Sequence, residues 1–344
     1  MRPGFDSIFG NAAEKQRLIS SVECGRLPHA IMIVGDEGAG KKTLALEIAM
    51  ALNCEKKGDK EFPLPCHECN SCRRIAEGKF TDVKRLKLAQ DKATIGVEEV
   101  RTFKEDMYLS ASEAEYKVYI FEDADKLTQQ AQNAMLIALE EPFSNVISIL
   151  LVKSQDKMLS TIKSRARQIV MERFSPSELS EYLLKTNGLA KQMSRTDPKR
   201  YSGVLMSAMG SIGRAELLLD TERAAENETK RASVVDILAA LGTKGRYIDL
   251  YRTITELPKS RAELKLIFED IILAIRDLTA IKHDTDATTV FFSDSETAKE
   301  LSRKFNQKRL LSIYDIISSM IEDLDKNANV TSLLTSLAAK IKNS

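Results

Sequence analysis

The 344-residue chain has no tryptophan, and aromatic residues make up only 6% of it. Glycine and proline are scarce too, at 15 and 8. A sandwich or barrel of many short strands and turns is therefore disfavoured, and helix-rich structure is expected. Excess charge of one sign is missing as well: 51 Lys and Arg face 50 Asp and Glu, a formal net charge of +1. That excludes a polybasic nucleic-acid coat, so any grip on DNA has to come from a local patch or from partners. No apolar run approaches the ~18 residues of a membrane span. The start MRPGFDSIFG has no charged stretch followed by an apolar core. Neither a span nor a secretory signal is expected, and the chain is assigned to the cytoplasm. Apolar residues at 43% and charged residues at 29% are ordinary globular proportions.

Length alone implies two or three domains. Up to Phe174, short β-branched runs alternate with helical segments: Ala30 to Val34, Val83 to Leu88, Val118 to Phe121, Val146 to Val152 and Gln168 to Met171. Alternation of this kind predicts an α/β fold with a parallel sheet. A helix should open at Ser175, where Ser175, Pro176 and Glu178 supply a cap, a first-turn proline and a capping box. Helical pattern then continues to about Glu226. It resumes through Ser233 to Leu241, Tyr247 to Glu256, Ser260 to Lys282, Ser295 to Lys304 and Lys308 to Asp325. The expected division is 1–174, 175–230 and 231–344.

The first strand runs into Gly35-Asp-Glu-Gly38-Ala-Gly40-Lys41-Lys42-Thr43 and then a helical LALEIAMAL. Strand, glycine loop, lysine and helix form the context of a phosphate-binding loop, in which backbone N–H groups and Lys41 would face phosphates. The motif wants Ser or Thr directly after the lysine to ligate Mg²⁺, and here that residue is Lys42. Thr43 does not substitute, because one helical step turns a side chain by about 100°. The strand Val118 to Phe121 ends in Glu122-Asp123, the reverse of the usual Asp-Glu order. That displaces each carboxylate, and a misplacement on the order of 1 Å costs about a hundredfold in rate. The nucleotide site of Gly35, Gly38, Gly40, Lys41, Thr43, Glu122 and Asp123 is thus degenerate and poorly built for Mg-ATP hydrolysis.

Cys54, Cys66, Cys69 and Cys72 lie close together in CEKKGDKEFPLPCHECNSC. Two CxxC steps and an upstream thiol make a complete tetrathiolate set, able to converge at about 2.3 Å on one Zn²⁺. Four protein ligands leave no open position, so a structural zinc is expected. A cytosolic chain argues against the alternative of disulfides. His67 between two of the cysteines should face solvent, and Cys24 stands alone.

Farther along come TQQAQNAMLIALEEP at Thr128 to Pro142 and Ser164-Arg165. With GRLPHAIMIVGDEGAGK and the four cysteines, in that order, the chain resembles the clamp-loader branch of the AAA+ superfamily. Within that branch it is most similar to the delta-prime family of bacterial DNA polymerase III subunits. The likeness covers most of Phe5 to about Leu218. It implies an AAA+ P-loop domain with a zinc insert, a small helical lid and an all-α collar for oligomerisation. It also implies that Arg165 is an arginine finger acting in trans at a neighbour's ATP site, and that Arg214, in GSIGRAELLL, is the sensor arginine. The third residue of the finger motif is Ala166 rather than Cys. The polar sensor pair would fall on Val152 and Lys153, neither of which can orient water. The resemblance further implies partners: gamma/tau ATPase subunits, a delta subunit, a sliding clamp and primed DNA. ATP and Mg²⁺ are then expected in the partner subunits. Two rival readings stay open, an active gamma/tau-type ATPase and a zinc-dependent DNA-binding regulator on a P-loop fold.

Overall fold

The computed structural model describes residues 4, 5, 7–89, 92, 94–140, 145–219, 221–242, 247–284, 289, 291, 292, 294–325 and 329–342. They fall into two compact units, one comprising 1–174 with 211–213 and the other 175–210 with 214–344.

The first unit is built on five parallel strands: β1 (Ala30–Val34), β2 (Val83–Leu86), β3 (Lys117–Phe121), β4 (Val146–Val152) and β5 (Arg167–Val170). Their order across the sheet is β2-β3-β4-β1-β5. Ala30 aligns with Ser148 and Ile31 with Arg167, so β1 lies between β4 and β5. Helices α1 (Ala12–Glu23), α2 (Lys41–Leu52), α3 (Asn70–Ala76), α4 (Val97–Met107), α5 (Gln129–Glu140) and α6 (Ser160–Lys163) complete the unit.

The alternation of side chains along each strand explains the layering. Ile31, Ile33, Val118, Ile120, Ile147, Ile149 and Leu151 join the core formed with Leu18 of α1, Ile48 of α2 and Ile75 of α3. Met32, Tyr119, Phe121, Leu150 and Val152 point the other way, toward Val100 of α4, Met135 of α5 and Ile162 of α6. Each such side chain, fully buried, contributes roughly 1.5–3 kcal/mol. A parallel sheet covered on both faces is the α/β class expected from the run pattern. β2 ends at Leu86, two residues short of expectation, and β5 is shifted by one toward the N-terminus.

The second unit holds helices α7 (Pro176–Thr186), α8 (Gly188–Thr196), α9 (Pro198–Ser207), α10 (Ile212–Leu219, entered from 211–213), α11 (Thr221–Gly242), α12 (Tyr247–Thr255), α13 (Arg261–His283), α14 (Ser295–Lys304), α15 (Gln307–Asp325) and α16 (Val330–Lys342). The Ser175 capping box is formed, with Ser175 Oγ accepting from Glu178 N and Glu178 Oε2 accepting from Ser175 N. Helix α11 runs unbroken across residues 230 and 231, where the sequence pattern had placed a division. One core joins α11 to α16 through Leu238, Ile254, Phe268, Leu301, Ile313, Ile317 and Leu337. Ile313 and Ile317 are therefore core; Ile316 and Ile321 pack partly buried against it. No described helix is long and apolar enough to cross a membrane.

Candidate functional site

The loop between β1 and α2 sits at the carboxyl end of β1, an interior strand between β4 and β5. Gly35 N donates to Val152 O at 3.1 Å, and a Cβ on Gly35 would meet Met171 Cβ at 2.9 Å. Gly40 caps α2 with a φ of 86°, a conformation glycine adopts without a Cβ clash. Lys41 folds back along the loop, donating to Gly35 O at 2.5 Å and Asp36 O at 2.8 Å. Burial holds its pKa below the ordinary lysine value, against the pull of Asp125, Asp36, Glu37 and Asp123. Gly213 N and Ser211 Oγ, in the short piece belonging to the same unit, donate to Gly38 O at 3.2 Å and Glu37 O at 3.1 Å.

Beside this loop lies a feature invisible in the motif. Lys42 Nζ stands 2.7 Å from Glu122 Oε2, while Arg85 reaches Glu122 Oε1 with Nε at 2.6 Å and Nη2 at 2.5 Å. Glu122 is only 1% exposed. Burial drives its carboxyl pKa upward, but the hydrogen bonds from Lys42 and Arg85 outweigh that and leave it below the ordinary value. Asp123 behaves oppositely: burial, with Asp125 and Glu122 nearby, pushes its carboxyl up despite Lys42. Asp123 has a φ of 52° and precedes a short 3₁₀ turn. Thr43 is exposed.

Ser154, two residues beyond Val152, is already engaged by a neighbour. Its Oγ donates to Asp156 Oδ2 at 2.7 Å and accepts from Asp156 N at 3.2 Å. Val152 is buried in β4. Arg214 Nη1 donates to Glu269 Oε2 on α13 at 2.8 Å.

The four cysteines converge after α2. All are buried, and their sulfurs lie within 4.8 Å of one another. Cys66 Sγ and Cys72 Sγ are 4.0 Å apart, near the ~3.8 Å edge of a tetrahedron with 2.3 Å metal–sulfur bonds. Cys69 N donates to Cys66 Sγ at 3.3 Å and Cys72 N to Cys69 Sγ at 3.4 Å, so backbone amides face the sulfurs. The Cys54 thiol is lowered to about 5, chiefly by the hydrogen bond with Cys72, while Cys72 is pushed up by the same bond and by burial. None of the cysteines forms a disulfide. The set could hold a metal ion. Asn53 anchors the entry, bridging to Tyr116 N and Tyr116 O at 3.0 Å each. His67 is not turned wholly to solvent as expected: its Nε2 lies 3.4 Å from Glu47 Oε2, a carboxylate 1% exposed.

Arg165 follows α6 and is partly exposed. Its Nη2 is 2.8 Å from Glu140 Oε1 and its Nη1 donates to Thr161 O at 3.0 Å. Buried Gln132 of α5 ties the segment ahead of α6, donating to Leu127 O at 3.2 Å and Lys157 O at 3.0 Å and accepting from Leu159 N at 2.9 Å. Glu141 and Pro142, the end of the quoted helix motif, lie outside the described residues. Arg85, Gln132 and Glu140 are the residues that sequence reasoning did not assign.

A family model described as DNA polymerase III, delta subunit, matches residues 10–175. Subunit delta′ of Bacillus subtilis is 24% identical over 328 residues, 94% of each chain. The chain is similar to subunits of DNA polymerase III. Subunit tau of the same organism is 26% identical over 336 residues, covering 93% of this chain but 58% of tau. Escherichia coli tau is 27% identical over 242 residues, 70% of this chain and 36% of tau. Thus the chain spans nearly all of the delta′ relative and little more than half of the Bacillus tau. Among solved structures, a DNA polymerase III gamma subunit-related protein from Thermotoga maritima aligns over 95% of this chain and 98% of its own, with 16% identity and a TM-score of 0.47.

Proposed function

We propose that the chain is a delta-prime-like subunit of a DNA polymerase III clamp loader. In this reading it supports ATP-driven loading of a sliding clamp onto primed DNA without hydrolysing ATP itself. The observation that carries the proposal is the Lys42–Glu122 pair. An ammonium engages the carboxylate that a hydrolytic P-loop site reserves for its metal, so the chain's own pocket is not equipped for turnover. Near-complete correspondence to a delta′ chain supports the subunit type.

Arg165 then acts in trans, its planar guanidinium stabilising charge on a phosphoryl group transferred in a neighbouring gamma/tau subunit. The Cys54, Cys66, Cys69 and Cys72 set holds a structural Zn²⁺, whose closed shell ties the end of α2 to the start of α3 across the insert. Residues 175–230 form the lid, with Arg214 as its sensor position, and 231–344 the collar through which delta and gamma/tau subunits assemble. The protein works in the cytoplasm.

Reconstitution with ATPase partners, clamp and primed DNA tests this. Arg165→Ala should lower partner ATP turnover by about 10³-fold or more while the complex still assembles by gel filtration. Unchanged turnover removes Arg165 from the role. Brisk ATP hydrolysis by the purified chain alone, lost on Lys41→Ala, would instead establish the active gamma/tau-type reading.

A further inference from the structure

The relationship to P-loop ATPase subunits implies a divalent cation, and the residues here do not fit one. A Mg²⁺ ion demands oxygen ligands in near-octahedral array at about 2.0–2.1 Å. The hydroxyl that should follow the loop lysine is replaced by Lys42. Of the Glu122 oxygens, Oε2 carries the Lys42 ammonium at 2.7 Å and Oε1 carries two Arg85 nitrogens at 2.6 and 2.5 Å. Two positive charges, a largely exposed Lys42 and a partly buried Arg85, thus cover a carboxylate that is itself 1% exposed. A divalent ion would have to displace the ammonium and then sit beside both cations. Lys41 adds a third positive charge at the loop, while exposed Thr43 lies one helical step away from the required position.

We propose that the Lys42 ammonium is the built-in counter-cation of this pocket: it holds the divalent metal's place on Glu122, so polyphosphate meets the loop metal-free. A phosphate chain carrying Mg²⁺ finds the Glu122 position already held by an ammonium, whereas the bare chain brings its negative charge to Lys41 and Lys42 without having to displace it. The inference rests on the own-pocket half of the function proposed above and does not involve Arg165. Partner turnover and cation exclusion therefore fail or survive separately.

The test compares the full-length wild type with Lys42→Thr, which returns a hydroxyl to the metal position, and Lys42→Met, which removes the charge without one. Two readouts are used: Mn²⁺ binding by electron paramagnetic resonance, and ATP affinity by calorimetry in Mg²⁺ or in EDTA. The wild type should bind no Mn²⁺ at Glu122, and its ATP affinity should be no tighter with Mg²⁺ than with EDTA. Lys42→Thr should gain a Mn²⁺ signal that Lys42→Thr combined with Glu122→Gln lacks. Where ATP binds, Mg²⁺ should tighten it in that variant by about 5–150-fold, the usual range of site coupling. Mg²⁺-enhanced ATP binding by the wild type, or a Mn²⁺ signal in it abolished by Glu122→Gln, overturns the proposal. So does a folded Lys42→Thr chain with no divalent-cation response of either kind, since Lys42 would then not be what keeps the metal out. Lys42→Met reports whether the hydroxyl is needed; a Mn²⁺ signal there as strong as in Lys42→Thr still assigns the exclusion to the ammonium.

Discussion

Arg165 Nη2 and Glu140 Oε1 are 2.8 Å apart, with both side chains more than a third exposed. An ion pair in that setting is worth about 0–1 kcal/mol, because water screens it and two flexible side chains lose freedom in forming it. The pair orients the guanidinium without trapping it, which suits the role in trans proposed for Arg165. Glu140→Gln should therefore change unfolding free energy by less than about 1 kcal/mol. In the reconstituted loader it should not lower partner ATP turnover. A urea melt and a turnover assay on the same preparation check both; a marked loss of turnover would mean that the pair itself is required for the geometry of the proposed finger.

Glu122 makes the opposite case. Its carboxylate is buried between Lys42 and Arg85, and removing one member of such a pair leaves charge facing charge. Glu122→Gln should cost at pH 7 toward the low end of about 3–5 kcal/mol, since Lys42 remains largely exposed. The carboxyl pKa is held below its unfolded value: burial opposes this, and the Lys42 and Arg85 hydrogen bonds prevail. The stabilisation is accordingly present in full above the unfolded pKa, about 4.3, and disappears as pH falls through the lower folded value. Denaturant melts of wild type and Glu122→Gln should converge on acidification below that point. A gap between them that persists unchanged in acid would show that the pair's contribution is not electrostatic.

The cysteine set predicts about one zinc per chain by elemental analysis. Cys69→Ser should lose the metal and open residues 54–72 to protease, since the sulfurs form the buried centre of that segment. The other face of the parallel sheet has a core free of the cysteines, in Met32, Tyr119, Phe121 and Leu150, and the sheet should remain folded by circular dichroism. A metal-free chain with the segment still protected would reject the site.

Much of this architecture could be read in the sequence where a local signal decides it. Ala30 to Val34 is apolar throughout, and Val146 to Val152 is apolar but for the buried Ser148, because each strand is covered on both faces, and they occupy the expected residues. The run at β2 misled by two residues: Lys84 and Arg85 look like solvated basic residues, yet Lys84 pairs with Asp106 at 2.6 Å and Arg85 with Glu122. The phosphate loop was legible because its glycines and lysine are consecutive. What Lys42 does was not, since it lies in the first turn of α2 and its partner Glu122 follows β3, far along the chain; the sequence shows only a departure from a motif, whereas the fold supplies the carboxylate. Glu140 and Gln132 escaped for the same reason: each acts on a residue 25 or more positions away. The continuous helix across residues 230 and 231 was hidden by charged residues whose pattern looks like a break.

Gln132 offers the sharpest check on how the segment leading to Arg165 is held. Its amide fills three roles at once: Nε2 donates to Leu127 O and Lys157 O, and Oε1 accepts from Leu159 N. The side chain is 4% exposed, so water cannot replace these partners without opening the packing around Met158 and Ile162. Gln132→Ala should cost about 1–3 kcal/mol for each buried backbone group left unsatisfied, with Leu159 N and Lys157 O the most affected. Gln132→Glu is the more telling substitution. It keeps the size and the acceptor for Leu159 N, but an ionised carboxylate has no hydrogen to give and would turn an oxygen toward two carbonyl oxygens. At neutral pH it should therefore destabilise the chain at least as much as the alanine, and recover in acid as the carboxyl gains the proton it can donate. Urea melts of the two variants at both pH values measure this, and a Gln132→Glu chain as stable as wild type at neutral pH would mean that the two donations contribute nothing.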